Sequence, residues 1–216
     1  VPEASSPAKR AKLRALGAEL VVTGRFYADA LAASNERVAQ TGALFAHAYD
    51  QHEVVAGAGT CALELERQQP NLDTVLVATG GGGLIGGIST WYGGRTRVVS
   101  IESEQTSTLA SALAAGEPVE VELGGIAADA LGASRIGELG FHAATQWVDR
   151  ALLVSDDAIV AAQRMLWDEV RIACEPASAT PLAALMTGAY QPETDERVCL
   201  LICGANVDPA SLSETH

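Results

Sequence analysis

Residues 74–88 read Thr-Val-Leu-Val-Ala-Thr-Gly-Gly-Gly-Gly-Leu-Ile-Gly-Gly-Ile, with consecutive glycines at Gly80, Gly81, Gly82 and Gly83. A β-branched run that feeds a glycine turn and then a helix start makes an anion cradle. Backbone N–H groups point into such a turn, no Cβ blocks a close approach, and the helix dipole favours negative charge there. The chemistry it suits is the holding of a phosphoryl group. Three further side chains sit where chemistry is available: Glu102 at the end of an apolar run, Glu175 before Pro176, and Cys203 in Cys203-Gly204-Ala205-Asn206 after another apolar run.

The residues alone leave several readings of the turn open. Gly81-x-Gly83-x-x-Gly86 matches a dinucleotide-binding fingerprint, and Glu102 stands where the ribose-binding acid of that motif would lie. A glycine turn that only lets a helix pack closely on a strand is another reading. A mononucleotide P-loop is excluded, because no Gly-Lys-Ser/Thr follows. Four glycines followed by Leu84 and Ile85 suit a compact monophosphate better than an extended pyrophosphate.

The elements that must position these groups alternate. Helices are expected over residues 7–16, 27–40, 59–68, 84–91, 106–115 and 136–144. Another is expected after Ser155, with Asp156 and Asp157 in its first turn, and one over 180–185 with Pro181 in its first turn. Ile159, Ala162, Leu166 and Val170 recur at helical spacing and mark a buried stripe. Strands are expected over 18–23, 44–47, 74–79, 97–102, 149–154 and 197–202; residues 119–123 suit an edge strand or an extended loop. Residues 211–216 are expected to fray. Alternating helices and continuous apolar strands imply an α/β fold with a doubly wound parallel sheet, whose ligands sit at the carboxyl ends of strands.

Composition limits the partners. The 216 residues are 48% hydrophobic and 19% charged, enough for a sizeable core. A formal charge of -13 repels a phosphate polymer, so nucleic-acid binding is not expected. No apolar run approaches the roughly 18 residues of a membrane span and no signal peptide is visible, so a cytoplasmic protein is expected. Cys61, Cys174, Cys199 and Cys203 lie in apolar runs without zinc-ligand spacing and read as reduced, buried thiols.

Several separated strings together resemble one family. They are Val1-Pro2 with Ser6-Pro7-Ala8-Lys9, Ala15-Leu-Gly-Ala18-Glu-Leu-Val-Val, and Val54-Val-Ala-Gly57-Ala-Gly59-Thr60-Cys-Ala-Leu-Glu64. The tetraglycine string, Gly124-Gly-Ile-Ala-Ala-Asp129, Glu175-Pro176-Ala-Ser-Ala and Cys203-Gly-Ala-Asn206-Val-Asp complete the set. In order and spacing the chain resembles the serine/threonine dehydratases (ammonia-lyases) of the tryptophan-synthase-β-like pyridoxal-phosphate enzymes, fold type II. Other members of that fold, such as racemases and threonine synthases, stay open beside a dinucleotide-binding domain.

The resemblance implies dehydration and deamination of L-threonine or L-serine to a 2-oxo acid and ammonia. It implies pyridoxal 5'-phosphate held at its phosphate by Gly80, Gly81, Gly82, Gly83 and Leu84, with Cys203 facing the pyridine nitrogen. Glu175 is expected to line the substrate pocket. Glu102, with Thr106 as a carbonyl donor, is expected near a monovalent or divalent cation, although Thr108 stands where some relatives carry a carboxylate. A homodimer acting on a small amino acid is the expected assembly.

One departure stands out. The family's Schiff-base lysine lies in a Lys-x-Arg-Gly-like string, and its substrate carboxylate is held by a Ser-x-Gly-Asn-His loop; this sequence contains neither. Lys12-Leu-Arg14 imitates the lysine string only superficially, and Lys9 and Lys12 are expected at the surface. The chain therefore reads as N-terminally incomplete: residues 1–47 a remnant of the family's small domain, 48–216 most of its large domain. It is expected to be inactive alone, with no regulatory extension after Asn206.

Overall fold

The computed structural model describes residues 1–3, 5, 7–25 and 27–212. Ser6 of the first family-like string and most of the tail expected to fray lie outside the described residues. The chain divides into two compact units, Val1–Ala46 and His47–His216.

The first unit carries helices α1 (Pro7–Ala15) and α2 (Tyr27–Thr41). The run at 18–23, expected to be a strand, is extended without forming a ladder among the described residues. Its neighbours are few: the Val1 nitrogen donates to Val21 O at 2.8 Å, Thr23 N to Val1 O at 3.0 Å, and Glu3 N to Gly24 O at 2.8 Å. The expected strand at 44–47 is likewise irregular, and Leu44 is 95% exposed. Apolar runs this short become strands only where a partner chain supplies the other half of the hydrogen bonds.

The second unit is the doubly wound sheet. Its order along the chain is α3 (His52–Gln68), β1 (Thr74–Ala78), α4 (Gly83–Tyr92), β2 (Arg97–Ser103), α5 (Thr108–Ala115), α6 (Ala128–Leu131), α7 (Glu138–Trp147), β3 (Val148–Val154), α8 (Asp156–Val170), α9 (Pro176–Met186), β4 (Val198–Leu200) and α10 (Pro209–Leu212). The four strands are all parallel, in the spatial order β3-β2-β1-β4. The winding runs outward from β1 through β2 to β3. The α8–α9 connection then carries the chain back across the sheet to β4, on β1's other side.

Strand periodicity sorts the core. Val75, Val77 and Val98 face Ile85, Ile88, Leu109 and Ala144 on one side of the sheet. Leu76, Ala78, Val99 and Ile101 face Ile159, Ala162, Ala179 and Ala183 on the other. Both faces are covered, which is why β1 is continuous hydrophobe rather than alternating.

Local expectations fail for identifiable reasons. Helix α3 starts at His52, seven residues before the expected start at Gly59, despite Gly57 and Gly59 in its interior. A Cβ on Gly87 of α4 would lie 2.4 Å from Val55 O and 2.5 Å from Gly59 N, so close packing of α3 on α4 overrides glycine's poor helix propensity. Helix α9 starts at Pro176, leaving Pro181 inside it. Proline cannot donate to the Ala177 carbonyl one turn back, and the Thr180 hydroxyl donates there instead, at 2.9 Å. In α8, Ser155 caps as expected, accepting from Ala158 N. Val170 is 56% exposed, however, because the helix ends beside it at Arg171 with φ 57°. Residues 119–123 form a loop. All four cysteines are free, but only Cys174 is buried; Cys61 and Cys203 are exposed. Among the described residues no helix is long and apolar enough to cross a membrane.

The amino end of the sheet is tied by one carboxylate. Glu196, with its side chain 5% exposed, accepts from the Thr74 and Tyr190 hydroxyls and from Glu193 N, and pairs with Arg97 at 3.3 Å. Burial pushes its carboxyl up, but those hydrogen bonds and the guanidinium outweigh it and hold it below the ordinary glutamate range. A lowered folded value contributes stability above the unfolded pKa of about 4.3, lost as pH falls through the folded value. Glu196→Gln is therefore expected to cost roughly 1–3 kcal/mol at pH 7. The gap between the two thermal melting curves should close on acidification below about pH 4; a gap constant with pH would refute the ionic role.

Candidate functional site

The reversal of winding between β1 and β4 opens a crevice at the carboxyl ends of these two strands, where α/β sheets bind ligands. The glycine turn leaves β1 there, and Cys203 leaves β4 there. Two strings 120 residues apart in sequence thus meet at one end of one sheet because β1 and β4 are hydrogen-bonded neighbours (Thr74 opposite Val198, Leu76 opposite Leu200).

The turn is held by its carbonyls. Gly80 O accepts the Thr108 hydroxyl at 2.7 Å, Gly81 O accepts Gly137 N at 3.0 Å, and Gly82 O accepts Gly86 N at 2.9 Å. Among the described residues no acceptor is found for the N–H groups of Gly80 to Leu84. Gly80, Gly82 and Gly83 are buried, so these donors call for a partner. Gly82, with φ 89°, caps α4 in a left-handed conformation that favours glycine. Gly81 is required for a different reason: a Cβ there would meet the Tyr49 ring at 2.4 Å. Tyr49 belongs to a loop that also secures α7, since Asp50 accepts from Glu138 N at 3.1 Å and Leu139 N at 3.0 Å. Free amides, a helix N-terminus and a backbone stripped of Cβ atoms fit a phosphate group.

Across the crevice, Cys203 Sγ lies 3.4 Å from the Ser178 hydroxyl. Glu175, the N-cap of α9, donates its N–H to Gly204 O at 3.2 Å and accepts Asn206 N at 3.2 Å. A Cβ on Gly204 would stand 2.1 Å from Glu175 Oε1, so the glycine after Cys203 is what lets the two strings close on each other. Cys174, next in sequence to Glu175, is a packed thiol: burial first, and then the neighbouring Glu175 and Cys203, push it up to about 11.

Glu102 is fully buried. Its Oε1 accepts Leu109 N at 2.8 Å and the Thr108 hydroxyl at 3.1 Å, and its Oε2 accepts Ala110 N at 2.8 Å. Burial pushes this carboxyl up to about 7, against the pull of those hydrogen bonds. The side chain serves the N-terminus of α5 and is not presented to a ribose, which removes the acid from the dinucleotide reading. The donor set does not suit a divalent cation. Both Glu102 oxygens are committed to protein donors, and the Thr106 carbonyl accepts Thr108 N at 3.0 Å. Among the described residues no three His, Cys, Asp or Glu side chains come together to hold a metal ion. The Thr106 hydroxyl is buried without a partner.

Tyr49 is a site residue that sequence reasoning missed, and that reasoning met Thr108 and Ser178 without the contacts they make here. No spacing singles them out, because each reaches the crevice from a different element. A separate cavity of about 580 Å³ lies between α3, α4 and α7, lined by His52, His142, Trp91 and Trp147 among others, and is lined by none of Gly80–Leu84, Glu102, Thr108, Glu175, Ser178 or Cys203.

Comparison with known proteins agrees with this arrangement. The family profile described as pyridoxal-phosphate dependent enzyme matches residues 1–204. The biosynthetic L-threonine dehydratase of Salmonella typhimurium is 34% identical over 212 residues, 96% of this chain and 41% of that protein. The L-threonine ammonia-lyase of Geobacter sulfurreducens is 33% identical over 216 residues, 99% of this chain and 54% of its own length. The chain thus spans about half the length of these relatives. Among solved structures, maize serine racemase superposes with a TM-score of 0.90 at 27% identity, covering 98% of this chain and 66% of that one. With the glycine cradle, the sheet order and the profile in agreement, this chain belongs to the pyridoxal-phosphate dependent enzymes of fold type II.

Proposed function

We propose that the protein contributes the cofactor half of a threonine/serine ammonia-lyase, which converts L-threonine or L-serine to a 2-oxo acid and ammonia. The observation that carries this reading is the pairing, at the carboxyl ends of two neighbouring strands, of unpartnered amides in the Gly80–Gly83 turn with the Cys203 side chain. Names given to the most similar relatives support the substrate class.

When bound, pyridoxal phosphate supplies an electron sink for negative charge developing at the substrate's α-carbon. The chain's own residues bind and orient. The amides of Gly80 to Leu84 take the phosphate, and the α4 dipole adds to the attraction. Cys203, steadied by the Ser178 hydroxyl, offers the pyridine nitrogen a weak, neutral partner. A thiol in that place would not oblige the ring nitrogen to carry a proton, which would suit loss of the β-hydroxyl. Glu175 lines the floor beside Cys203 through its bonds to Gly204 and Asn206. A homodimeric, cytoplasmic enzyme is part of the same reading.

Covalent attachment of the cofactor needs an amine. Both lysines of the sequence, Lys9 and Lys12, lie on α1, and residues 47–216 contain none. On this reading the 216-residue chain holds the cofactor without a specific covalent link and does not turn over amino acids by itself.

Two outcomes test the proposal. Pyridoxal phosphate added to the chain should raise its melting temperature, whereas NAD should not. Borohydride reduction followed by peptide mass mapping should find no stoichiometric adduct on either lysine, and a specific adduct would refute the non-covalent reading. Separately, Gly81→Ala should weaken pyridoxal-phosphate binding at least about tenfold by driving a Cβ into the Tyr49 ring. Adding Tyr49→Ala should recover part of that loss; a strictly additive double variant would show that the ring does not bound the cradle.

A further inference from the structure

We infer that Thr108 is a positioning residue for the phosphate cradle: its hydroxyl orients the Gly80–Gly81 peptide so that the Gly81 N–H faces the ligand. This deepens the cofactor reading above and rests on it.

A trans peptide carries its C=O and N–H on opposite sides, so fixing one carbonyl fixes the direction of the next residue's N–H. Each of the turn's first three carbonyls is fixed: Gly80 O by Thr108, Gly81 O by Gly137 N, Gly82 O by Gly86 N. The N–H groups of Gly81, Gly82 and Gly83 therefore point away from these three donors. Two of the three clamps are backbone and cannot be varied by side-chain substitution. Thr108 is the one that a side chain supplies.

The clamp is itself supported. Thr108 is the first residue of α5, fully buried, and its hydroxyl has a single proton. The contact to Gly80 O, at 2.7 Å, is shorter than the 3.1 Å contact to Glu102 Oε1. Glu102 reaches from the end of β2 and holds the first turn of α5 through the N–H groups of Leu109 and Ala110. That grip presents Thr108 to Gly80, so the position of the turn depends on β2 and α5 as well as on β1. A valine at 108 keeps the shape and leaves both backbone bonds to Glu102 in place. It also strands the Gly80 carbonyl inside the protein and frees the peptide to rotate.

The test uses the 216-residue chain with two probes, pyridoxal phosphate and pyridoxal without phosphate, their affinities measured by fluorescence titration. Thr108→Val is expected to weaken pyridoxal phosphate by about tenfold, the worth of one lost buried hydrogen bond, and to leave pyridoxal unchanged. Thr108→Ser, which retains the hydroxyl, should restore the phosphate-dependent affinity to within about twofold. Equal loss for both probes, no loss for either, or failure of serine to rescue would overturn the inference. If the valine variant does not fold, an unchanged preference of Thr108→Ser and a lost preference of Thr108→Ala decide the matter in its favour, and the reverse decides against. A parent chain that does not prefer the phosphorylated probe would overturn the cofactor reading itself, and this inference with it.

Discussion

The pairing of β4 with β1 is the constraint on which the rest of the structure depends. Three residues of ladder, from Thr74 opposite Val198 to Leu76 opposite Leu200, bring the end of the chain back beside its first strand. Had β4 joined the sheet at β3, the Cys203 string would stand three strand positions from the glycine turn, with β2 and β3 between. The winding reverses between these two strands, and the glycine turn and the Cys203 string both leave the sheet there.

The site is built by backbone more than by side chains. The carbonyls of the turn are occupied by Thr108, Gly137 and Gly86, which leaves its amides turned away from them, and the glycines are present because neighbours leave no room. Tyr49 excludes a Cβ at Gly81, and Glu175 excludes one at Gly204. Charge is used sparingly. Glu102, the most deeply buried carboxylate, is committed to the start of α5, and Glu196 ties the opposite end of the sheet through Thr74, Tyr190 and Arg97. Both carboxylates fix strands and helix starts, leaving the crevice itself close to neutral apart from Glu175.

Membership of the family follows from strings of residues in order, whereas the reaction belongs to a whole protein of which this chain matches about half the length of its curated relatives. On the reading proposed above, what these residues would contribute to such a protein is the grip on phosphate and ring. Residues 47–216 contain no lysine; the two in the sequence, Lys9 and Lys12, lie on α1.

The parallel sheet, the glycine turn at the start of α4 and the place of Cys203 after the last strand were legible in the sequence. They depend on local features: a β-branched run cannot easily be helical, four glycines followed by a helix former leave a backbone turn open, and an apolar strand delivers the residue that follows it to the sheet's end. Edges were less legible. The runs at 18–23 and 44–47 have strand composition but no ladder, because hydrogen-bond partners are a property of the assembled chain. Pro181 reads as a helix start, and only the Thr180 hydroxyl covering the Ala177 carbonyl lets it sit inside α9. Glu102 reads as a ribose or cation ligand at a strand end, and only the tertiary structure turns it inward to α5. Nothing in the sequence signals the contacts that Tyr49, Thr108 and Ser178 make. Their roles arise from contacts across separations of 32, 28 and 25 residues, and nothing in a linear string encodes a distance that packing alone creates.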